Sequence, residues 1–568
     1  MKPIVGVWLT LVWLRWWIAI SSTSVIHPDE HFQNSEIAAG IVFDYDTQSS
    51  GQLLRTWEWQ AALPVRSVVP VSSSIGLAFI LLKAIVGKAP SGYQLFVAQR
   101  TFMWLASLIV DYTIFNVATH KRLSLILIST SPVMLTFMLR PFSNSIETIL
   151  LSTCVVCYHK WSQTRSQLLL VLMSAIGSLA VFTRITFVAF AAPVATLVVS
   201  YIVRHAIETR SPRHLLPLLI MMSTFTMTSI VLATIDTITM TDSTFLNVLK
   251  NSSRLVWTPI NLLFYNSSID NLSKHGLHPR YLHFIVNWPM LFGIGLWPVC
   301  MIMSSRFTKP KSVKSKSSNL STNLLIAMLI VPTCVLSIQP HQEARFLVPL
   351  ILPLTLLIPQ ATLFQQRQRA KRKIIIFWSL WLIHSVLFVT LFGYLHQGGL
   401  IPTLFKLNER LKLDKQALND VNPIQHRTTT TRIIFWQTFM PPRHLLLPLF
   451  DPSVHYKITD SNIEIIDLAG SNVGIVQQTF DQIETYSTSN SKSTTIEESS
   501  KMNQTWLVAP TFTVRKLEQQ QSFKNLKRLK PLLKEESIGW HVDMDRLDQF
   551  FKSQFNEKGL GVWYIDHS

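Results

Sequence analysis

Pro3–Ile20 (PIVGVWLTLVWLRWWIAI) is an apolar run interrupted by Thr10 and Arg15, and His27-Pro28-Asp29-Glu30-His31-Phe32-Gln33 follows it closely. The first stretch has the length, about 20 residues, that crosses a bilayer core of about 30 Å. The second places two adjacent carboxylates, flanked by histidines, where a span ends and a water-facing loop begins. Ionisable side chains at a membrane edge are functional candidates because burying them without a purpose is costly. An enzyme working on a lipid-linked substrate needs its acid–base groups at that level. The competing reading is a polar helix flank, since Asp and Glu commonly open helices at the amino end.

The rest of the chain extends the first reading. Of 568 residues 48% are hydrophobic and only 15% are charged, against about a quarter charged in soluble proteins. Further apolar runs lie at Val68–Val86, Thr101–Ala118, Leu123–Leu139, Ser145–Tyr158, Leu168–Phe182, Phe187–Val203, Leu215–Ile235, His283–Met303, Asn323–Ile338, Leu347–Leu363 and Ile374–Leu395. The chain reads as a polytopic α-helical membrane protein. The net charge of +19 is crowded into short loops at Lys309, Lys311, Lys314 and Lys316, and again at Arg367, Arg369, Lys371, Arg372 and Lys373. That is the positive-inside pattern, which makes both loops cytosolic, and it lacks the aromatic-interleaved basic surface of a nucleic-acid binder. The final span then runs outward. A cytosolic N-terminus requires an odd number of crossings, about eleven, so one segment between Val68 and Val203 is broken, re-entrant or miscounted.

Cys154, Cys157, Cys300 and Cys334 all lie in or beside apolar segments. The Cys154–Cys157 spacing reads as small packing residues, and the set forms no disulfide framework. Arg15 and the neighbouring tryptophans make Pro3–Ile20 a poor signal peptide and favour an uncleaved span. Sequons at Asn251, Asn266, Asn271 and Asn503 fall in regions that the charge pattern places outside the cytosol; such triplets also arise by chance. After His396-Gln397-Gly398-Gly399 the chain turns polar. Strand-like runs occur at Thr431–Trp436, Asn472–Gln477 and Trp506–Val514, a flexible loop is expected over Thr485–Ser500, and Lys524–Lys534 shows a basic helical pattern. The expected organisation is a multi-span domain over 1–400, including a loop at 21–67, and a small α/β-like domain over 401–568 on the lumenal or extracellular side.

Polar residues concentrate at four membrane-edge places. The loop from His27 to Arg66 holds Asp29, Glu30, His31 and Glu36, then Thr56-Trp57-Glu58-Trp59, then Arg66-Ser67. Indole rings beside carboxylates suit a sugar, with the ring on the apolar face of a pyranose and the carboxylate on its hydroxyls. Trp57 and Trp59 fit an interfacial aromatic belt equally well. Arg140-Pro141-Phe142-Ser143-Asn144-Ser145-Ile146-Glu147-Thr148 and Thr183-Arg184-Ile185-Thr186 each set an arginine between apolar runs, where it either snorkels or binds an anion such as a lipid phosphate. Pro340-His341-Gln342-Glu343-Ala344-Arg345-Phe346 gathers an imidazole, a carboxylate and a guanidinium in one outer turn, unless it is a plain polar hairpin cap.

Together HPDEHFQ, TWEW with Arg66-Ser67, RPFSNSIET and HQEARFL resemble the dolichyl-phosphate-mannose-dependent mannosyltransferases of glycosyltransferase family 22, in the GT-C superfamily. The resemblance runs from the first span to about Pro402. Within the family, HPDEHFQ and His275-Gly276-Leu277-His278-Pro279-Arg280-Tyr281, preceded by Trp257-Thr258-Pro259-Ile260-Asn261, look most like the branch adding the fourth mannose to glycosylphosphatidylinositol (GPI) precursors. His31-Phe32 stands where the third-mannose branch usually has Tyr-Trp. Tryptophan in TWEW, where close relatives often have Phe, is a small departure.

The resemblance implies a GT-C fold and transfer of mannose from dolichyl-phosphate-mannose to the third mannose of a GPI precursor, in an α-1,2 linkage, at the lumenal face of the endoplasmic reticulum membrane. It also implies no bound metal or other cofactor. The donor is β-linked, so the transfer inverts and needs one carboxylate base: Asp29, with Glu30 as the alternative. Arg345 and His341, then Arg184 or Arg140, are expected at the donor phosphate. His31, Glu36, Trp57, Glu58, Trp59, Glu343, His278 and Arg280 are expected around the sugars and acceptor. The rivals are a sister family 22 enzyme, acting on the third GPI mannose or an N-glycan precursor, and a lipid transporter or scramblase. The latter requires charges paired deep within spans and a repeat between halves, whereas Arg15, Asp111 and Asp236 read as scattered. A subunit without catalysis fits poorly with Asp29, Glu30 and Glu343 all present.

Overall fold

A computed structural model describes residues 2–43, 53–60, 63–87, 90–241, 245, 255–308, 320–365, 370–421, 429–446, 461–490, 502–520, 529–533 and 537–565. The expected basic-loop residues Lys309, Lys311, Lys314, Lys316, Arg367 and Arg369 lie outside the described residues, as does Asn251. Contacts divide the chain into two units. The first comprises Met1–Ala19, Thr56–Ile75 and Arg100–Val389; the second comprises Ile20–Arg55, Gly76–Gln99 and Thr390–Ser568.

By length and composition, Val68–Val86, Phe187–Glu208, Pro212–Thr241, His283–Ser305 and Lys371–Leu395 can each cross a membrane. Shorter apolar helices occupy Val5–Ser21, Gln167–Thr183, Thr322–Ile338 and Ala344–Gln360. Lys121–Thr130 and Pro132–Leu139 form a further apolar pair bent by 49°. The bend has a local cause. Pro132 cannot donate to the preceding turn, and Ser131 stops one helix and caps the next, its hydroxyl accepting from Met134 N at 3.1 Å.

In the first unit, Lys2–Ser21 is fastened to Gly92–Val117 by polar contacts within apolar surroundings. Arg15 and Asp111 form a buried bidentate ion pair. Trp8 Nε1 donates to the same carboxylate at 3.1 Å, and Trp104 Nε1 donates to the Val12 carbonyl at 2.9 Å. The reading of Arg15 and Asp111 as scattered is thus corrected: residues 96 apart in sequence become partners because neither charge is tolerated alone in a low dielectric. Asp236, the third of those residues, is also engaged. Its carboxylate accepts from Ser67 Oγ and Val68 N, both at 2.9 Å, and holds the start of the helix at Val68.

In the second unit the residues that follow Lys2–Ser21 meet the end of Lys371–Leu395. Ser24 N donates to the Gly393 carbonyl at 3.3 Å and Val25 N to the His396 carbonyl at 3.2 Å. The chain then turns into a five-stranded sheet with order β2-β1-β3-β5-β4, where β1 is Thr429–Phe435, β2 Ser461–Asp467, β3 Met502–Pro510, β4 Leu529–Pro531 and β5 Leu560–Ile565. β1 runs parallel to β2 and β3, while β5 is antiparallel to β3 and β4. Gly398 marks the junction: a Cβ there would lie 1.9 Å from the Tyr394 carbonyl oxygen and 2.5 Å from that of Trp540.

Four local expectations are corrected. Asn472–Gln477 is the start of the Val473–Asn490 helix, not a strand. Asn472 caps it, accepting from Ile475 N at 3.1 Å, and Val476, Phe480 and Ile483 recur at helical spacing to pack on Ile434 and Leu507 of the sheet and on Trp436 just after β1. The same helix covers 485–490, at the head of the expected loop. Trp506–Val514 is strand only to Pro510; Thr511–Gln520 is helix. Within Lys524–Lys534, residues 529–531 form β4, and 524–528 and 534 lie outside the described residues.

Two consequences follow for stability. Asp111→Ala strands a buried guanidinium and should cost about 3–5 kcal/mol, seen as a lower melting temperature in detergent, with Arg15→Leu/Asp111→Leu recovering most of it. His541 is buried in the second unit, and burial first, then His396, lowers its pKa to about 3. An unfolded histidine titrates near ~6.5, so this contribution is complete above that pH and is lost as pH falls toward 3. Melting curves between pH 7 and pH 4 should fall less steeply for His541→Gln than for the natural chain.

Candidate active site

In the second unit the HPDEHFQ segment begins a helix at Pro28, whose carbonyl accepts from His31 N at 3.0 Å and Phe32 N at 3.2 Å. His31–Ser35 winds one π turn, a form that in many proteins marks functional positions. Asp29 remains 25% exposed, beside His27 at 3.4 Å, and accepts from Gln33 Nε2 at 2.5 Å. Glu30 is wholly buried against His31, at 3.6 Å. The two carboxylates left as alternatives by the sequence therefore differ in solvent access.

Glu36, read from sequence as a sugar ligand, has both oxygens occupied within the chain. His444 donates to Oε2 from Nδ1 at 2.6 Å and from its backbone N at 3.1 Å, and Leu54 N donates to Oε1 at 3.3 Å. The His444 ring stands 5.7 Å from that of His31. A neutral imidazole donating from Nδ1 keeps Nε2 as its acceptor. His444 gave no signal in the sequence, lying 408 residues from its partner. Next to it, burial lowers the pKa of Arg443 despite the opposing charges of Glu36 and Asp467.

The first unit gathers the other motifs. Trp57 stacks on Tyr265 with ring centroids 4.2 Å apart and planes at 21°, and Tyr265 Oη shares a 3.0 Å hydrogen bond with His275 Nε2. Burial and Glu58 raise the pKa of Tyr265. Trp59 and Glu58 are buried, and Arg66 grips Glu58 Oε1 from Nε and Nη2 at 2.9 and 2.8 Å. The His275–Tyr281 block lies on the Pro340–Phe346 turn. His278 N donates to the Pro340 carbonyl at 2.7 Å, Gln342 N to His278 Nδ1 at 3.3 Å, and Gln342 Nε2 to the carbonyl of exposed Arg280 at 3.3 Å.

His341 bonds Gly276 O through Nδ1 at 3.2 Å and Glu343 through Nε2 at 2.9 Å. Burial opposes its charged form, but Glu343 and the Gly276 carbonyl outweigh burial and raise its pKa. Arg345 pairs with the same carboxylate. Arg184 forms the companion pair: its Nε lies 3.4 Å from Glu147 Oε2 and 3.3 Å from Thr186 Oγ1, which in turn donates to Glu147 Oε1 at 2.7 Å. Arg184 and Arg345 face the Phe346 ring at 5.2 and 5.6 Å. Burial lowers the pKa of Arg184 to about 10, with Glu147 opposing and Arg66, Arg345 and Glu343 also acting on it. Arg140 is buried ahead of the Ser143–Thr164 helix, its N donating to Phe137 O at 3.0 Å. Arg66, Glu147 and Thr186 were passed over as site residues, although all three stand in or beside the quoted motifs.

The face of the Ser143–Thr164 helix that carries Glu147 continues through Leu151 and Cys154 into an apolar cavity of about 780 Å³. Gly177, Val181, Phe187 and Phe225 also line it. Among the described residues no group of three His, Cys, Asp or Glu side chains forms a metal site. Asn266 and Asn271 are half-buried, and Asn271 Nδ2 donates to Tyr265 O at 3.2 Å. Asn503 lies in β3.

The model of the Alg9-like mannosyltransferase family matches residues 6–448. GPI mannosyltransferase 4 of Emericella nidulans is 29% identical over 98% of this chain and 97% of its own length. The human GPI alpha-1,2-mannosyltransferase 4 is 30% identical over 82% and 78%. The crystal structure of ArnT from Cupriavidus metallidurans bound to undecaprenyl phosphate superposes with a TM-score of 0.51 at 11% identity, covering 100% of this chain and 99% of that one. At that identity the likeness speaks for a GT-C membrane fold.

The Glu36–His444 contact separates two roles for the imidazole. Asn at 444 can reproduce a donor at the Nδ1 position but not an acceptor at Nε2. If His444 serves to hold Glu36, His444→Asn should keep activity within about threefold, while His444→Ala and Glu36→Gln lower turnover about tenfold or more by leaving a buried polar group unpaired. Turnover and thermal stability measured together on the three variants check this.

Proposed function

This chain belongs to the Alg9-like mannosyltransferase family and is a membrane glycosyltransferase, and from that premise we propose the reaction it performs. It transfers mannose from dolichyl-phosphate-mannose to the third mannose of a GPI-anchor precursor, forming an α-1,2 linkage at the lumenal face of the endoplasmic reticulum membrane. Relatives named GPI mannosyltransferase 4 match nearly the whole chain and support this acceptor. The reading carries about eleven crossings and a lumenal C-terminal region.

The observation that carries the chemistry is the state of Arg184. Its Nε is committed to Glu147 and Thr186, so among the described residues Nη1 and Nη2 remain as donors beside Arg345 and Phe346. A guanidinium held by one edge and offering the other matches a phosphate oxygen pair. The apolar cavity lined by Leu151 and Cys154, one and two turns along the helix from Glu147, and by Phe187, three residues after Arg184, suits a polyisoprenyl chain attached to that phosphate. Arg184 therefore takes the leading role at the phosphate, with Arg345 and His341 supporting it.

Inversion proceeds in one displacement. The acceptor hydroxyl oxygen attacks the anomeric carbon, its proton passes to Asp29, and the anomeric carbon–oxygen bond to phosphate breaks. The electron pair leaves with dolichyl phosphate, whose charge the guanidinium offsets. Access favours Asp29 over Glu30 as the base, because Glu30 is enclosed with His31. Trp57, stacked on Tyr265, supplies an aromatic face for a sugar ring.

Labelled dolichyl-phosphate-mannose and a three-mannose GPI precursor, supplied to the purified protein, test the reading. A four-mannose product is expected from the natural chain, with at least a ~10²-fold loss in Asp29→Asn and a comparable loss in Arg184→Lys. Turnover that survives Asp29→Asn moves the base elsewhere. Activity on a two-mannose precursor alone reassigns the chain to the third-mannose step.

A further inference from the structure

The C-terminal region carries an apolar surface that the reaction does not use. Phe551 and Phe555 are 73% and 74% exposed, and Trp540 and Met544 are 42% exposed. The rings are contiguous: Trp540 lies 5.3 Å from Phe555 and 6.3 Å from Phe550, and Phe550 lies 5.7 Å from Phe551. Lys558 stands over the Trp540 and Phe550 rings at 5.9 and 4.9 Å. Scattered exposed apolar residues are ordinary on a folded surface, but large rings grouped on one short segment mark a surface that meets something.

The backbone shows where this segment stands. Lys371–Leu395 has 25 residues, roughly 37 Å of helix at about 1.5 Å per residue, so its last turn already lies in or beyond the headgroup layer of a core about 30 Å thick. The residues that follow it hold the aromatic segment directly. His396 bridges Val542, Gln397 N donates to the Val542 carbonyl at 3.0 Å, and Val542 N donates to the Leu395 carbonyl at 2.9 Å. Three residues of extended chain reach at most about 10 Å, which keeps Gly398, and with it the abutting Trp540 carbonyl, at headgroup level. The exit of the first helix joins the same place through Ser24 and Val25.

We propose that Trp540, Met544, Phe551 and Phe555 form an interfacial anchor that seats the C-terminal sheet domain on the bilayer, in the leaflet reached by the carboxyl end of Lys371–Leu395. Tryptophan and phenylalanine rings partition favourably at that depth, and Lys558 can rest its stem on the rings while its ammonium reaches lipid phosphate. Asp543, Asp545, Asp548 and Glu557 flank the segment, so the anchor works through the rings rather than through net positive charge and accepts zwitterionic lipid. The occupant is lipid, not a partner protein, because the segment is tied to two helix ends that themselves leave the membrane.

The full-length protein in phosphatidylcholine nanodiscs tests this. Single cysteines replace Phe551 or Phe555, in a background where exposed Cys300 and Cys334 are serine, and carry an environment-sensitive NBD label. Ile475, 43% exposed on the Val473–Asn490 helix, supplies the control position. The 551 and 555 probes should be quenched at least twofold more by lipid spin-labelled near the headgroup than the 475 probe, with blue-shifted emission. Quenching equal to that at Ile475 overturns the anchor. Probes shielded from aqueous iodide but untouched by spin-labelled lipid also overturn it, and assign the surface to protein instead. No arm depends on catalytic activity.

Discussion

An ion inside an apolar bundle must bring its counter-ion with it, and this rule shapes the molecule more than any other. Desolvating a lone carboxylate or guanidinium costs several kcal/mol even after relaxation. Arg15 is met by Asp111, Glu58 by Arg66, Glu147 by Arg184 and Glu343 by Arg345. Arg15–Asp111 and Glu147–Arg184 join segments that helix packing alone leaves free to slide, since apolar helices in lipid gain little from one another's hydrophobic surface. The pairs act as registry pins.

The same rule sorts structure from chemistry. Arg15 engages Asp111 from both amino groups and has the Trp8 indole on the same carboxylate, leaving little capacity for a ligand. Among the described residues Arg184 is held from one edge. His341 sits between a carbonyl and a carboxylate that together favour its charged form, a setting suited to an anion nearby. Partners thus distinguish a buried arginine that fastens helices from one that can still take a ligand.

Much of this was legible in the chain because its signals are local. Runs of about 20 apolar residues announce membrane helices wherever they end up, and the polar motifs sit at their ends whatever the packing. Pairing is not local. Nothing near Glu36 points to His444, and nothing near Arg15 points to Asp111, since a partner's identity is decided by three-dimensional packing. The misread strand at Asn472–Gln477 fails for a different reason. Valine and isoleucine favour strands on average, yet the spacing of Val476, Phe480 and Ile483, together with the Asn472 cap, outweighs that preference. At Trp506–Val514 the change from strand to helix falls just after Pro510, which opens no donor to a continuing ladder.

The ties between the two ends of the chain constrain how the protein is made. The carbonyls that receive Ser24 and Val25 belong to Gly393 and His396, and the imidazole that satisfies Glu36 arrives 408 residues later. A ribosome extends a chain at about 5–20 residues per second, so the segment bearing Asp29 and Glu30 emerges tens of seconds before its supports exist. Through that interval the Glu36 carboxylate waits for its imidazole, which follows only after Lys371–Leu395 has been made, whereas the contacts of Asp29 with His27 and Gln33 are local and need no later segment. Completion of the Glu36 contact is therefore a late step, and a nascent chain stopped short of His444 carries Glu36 without the imidazole that satisfies it.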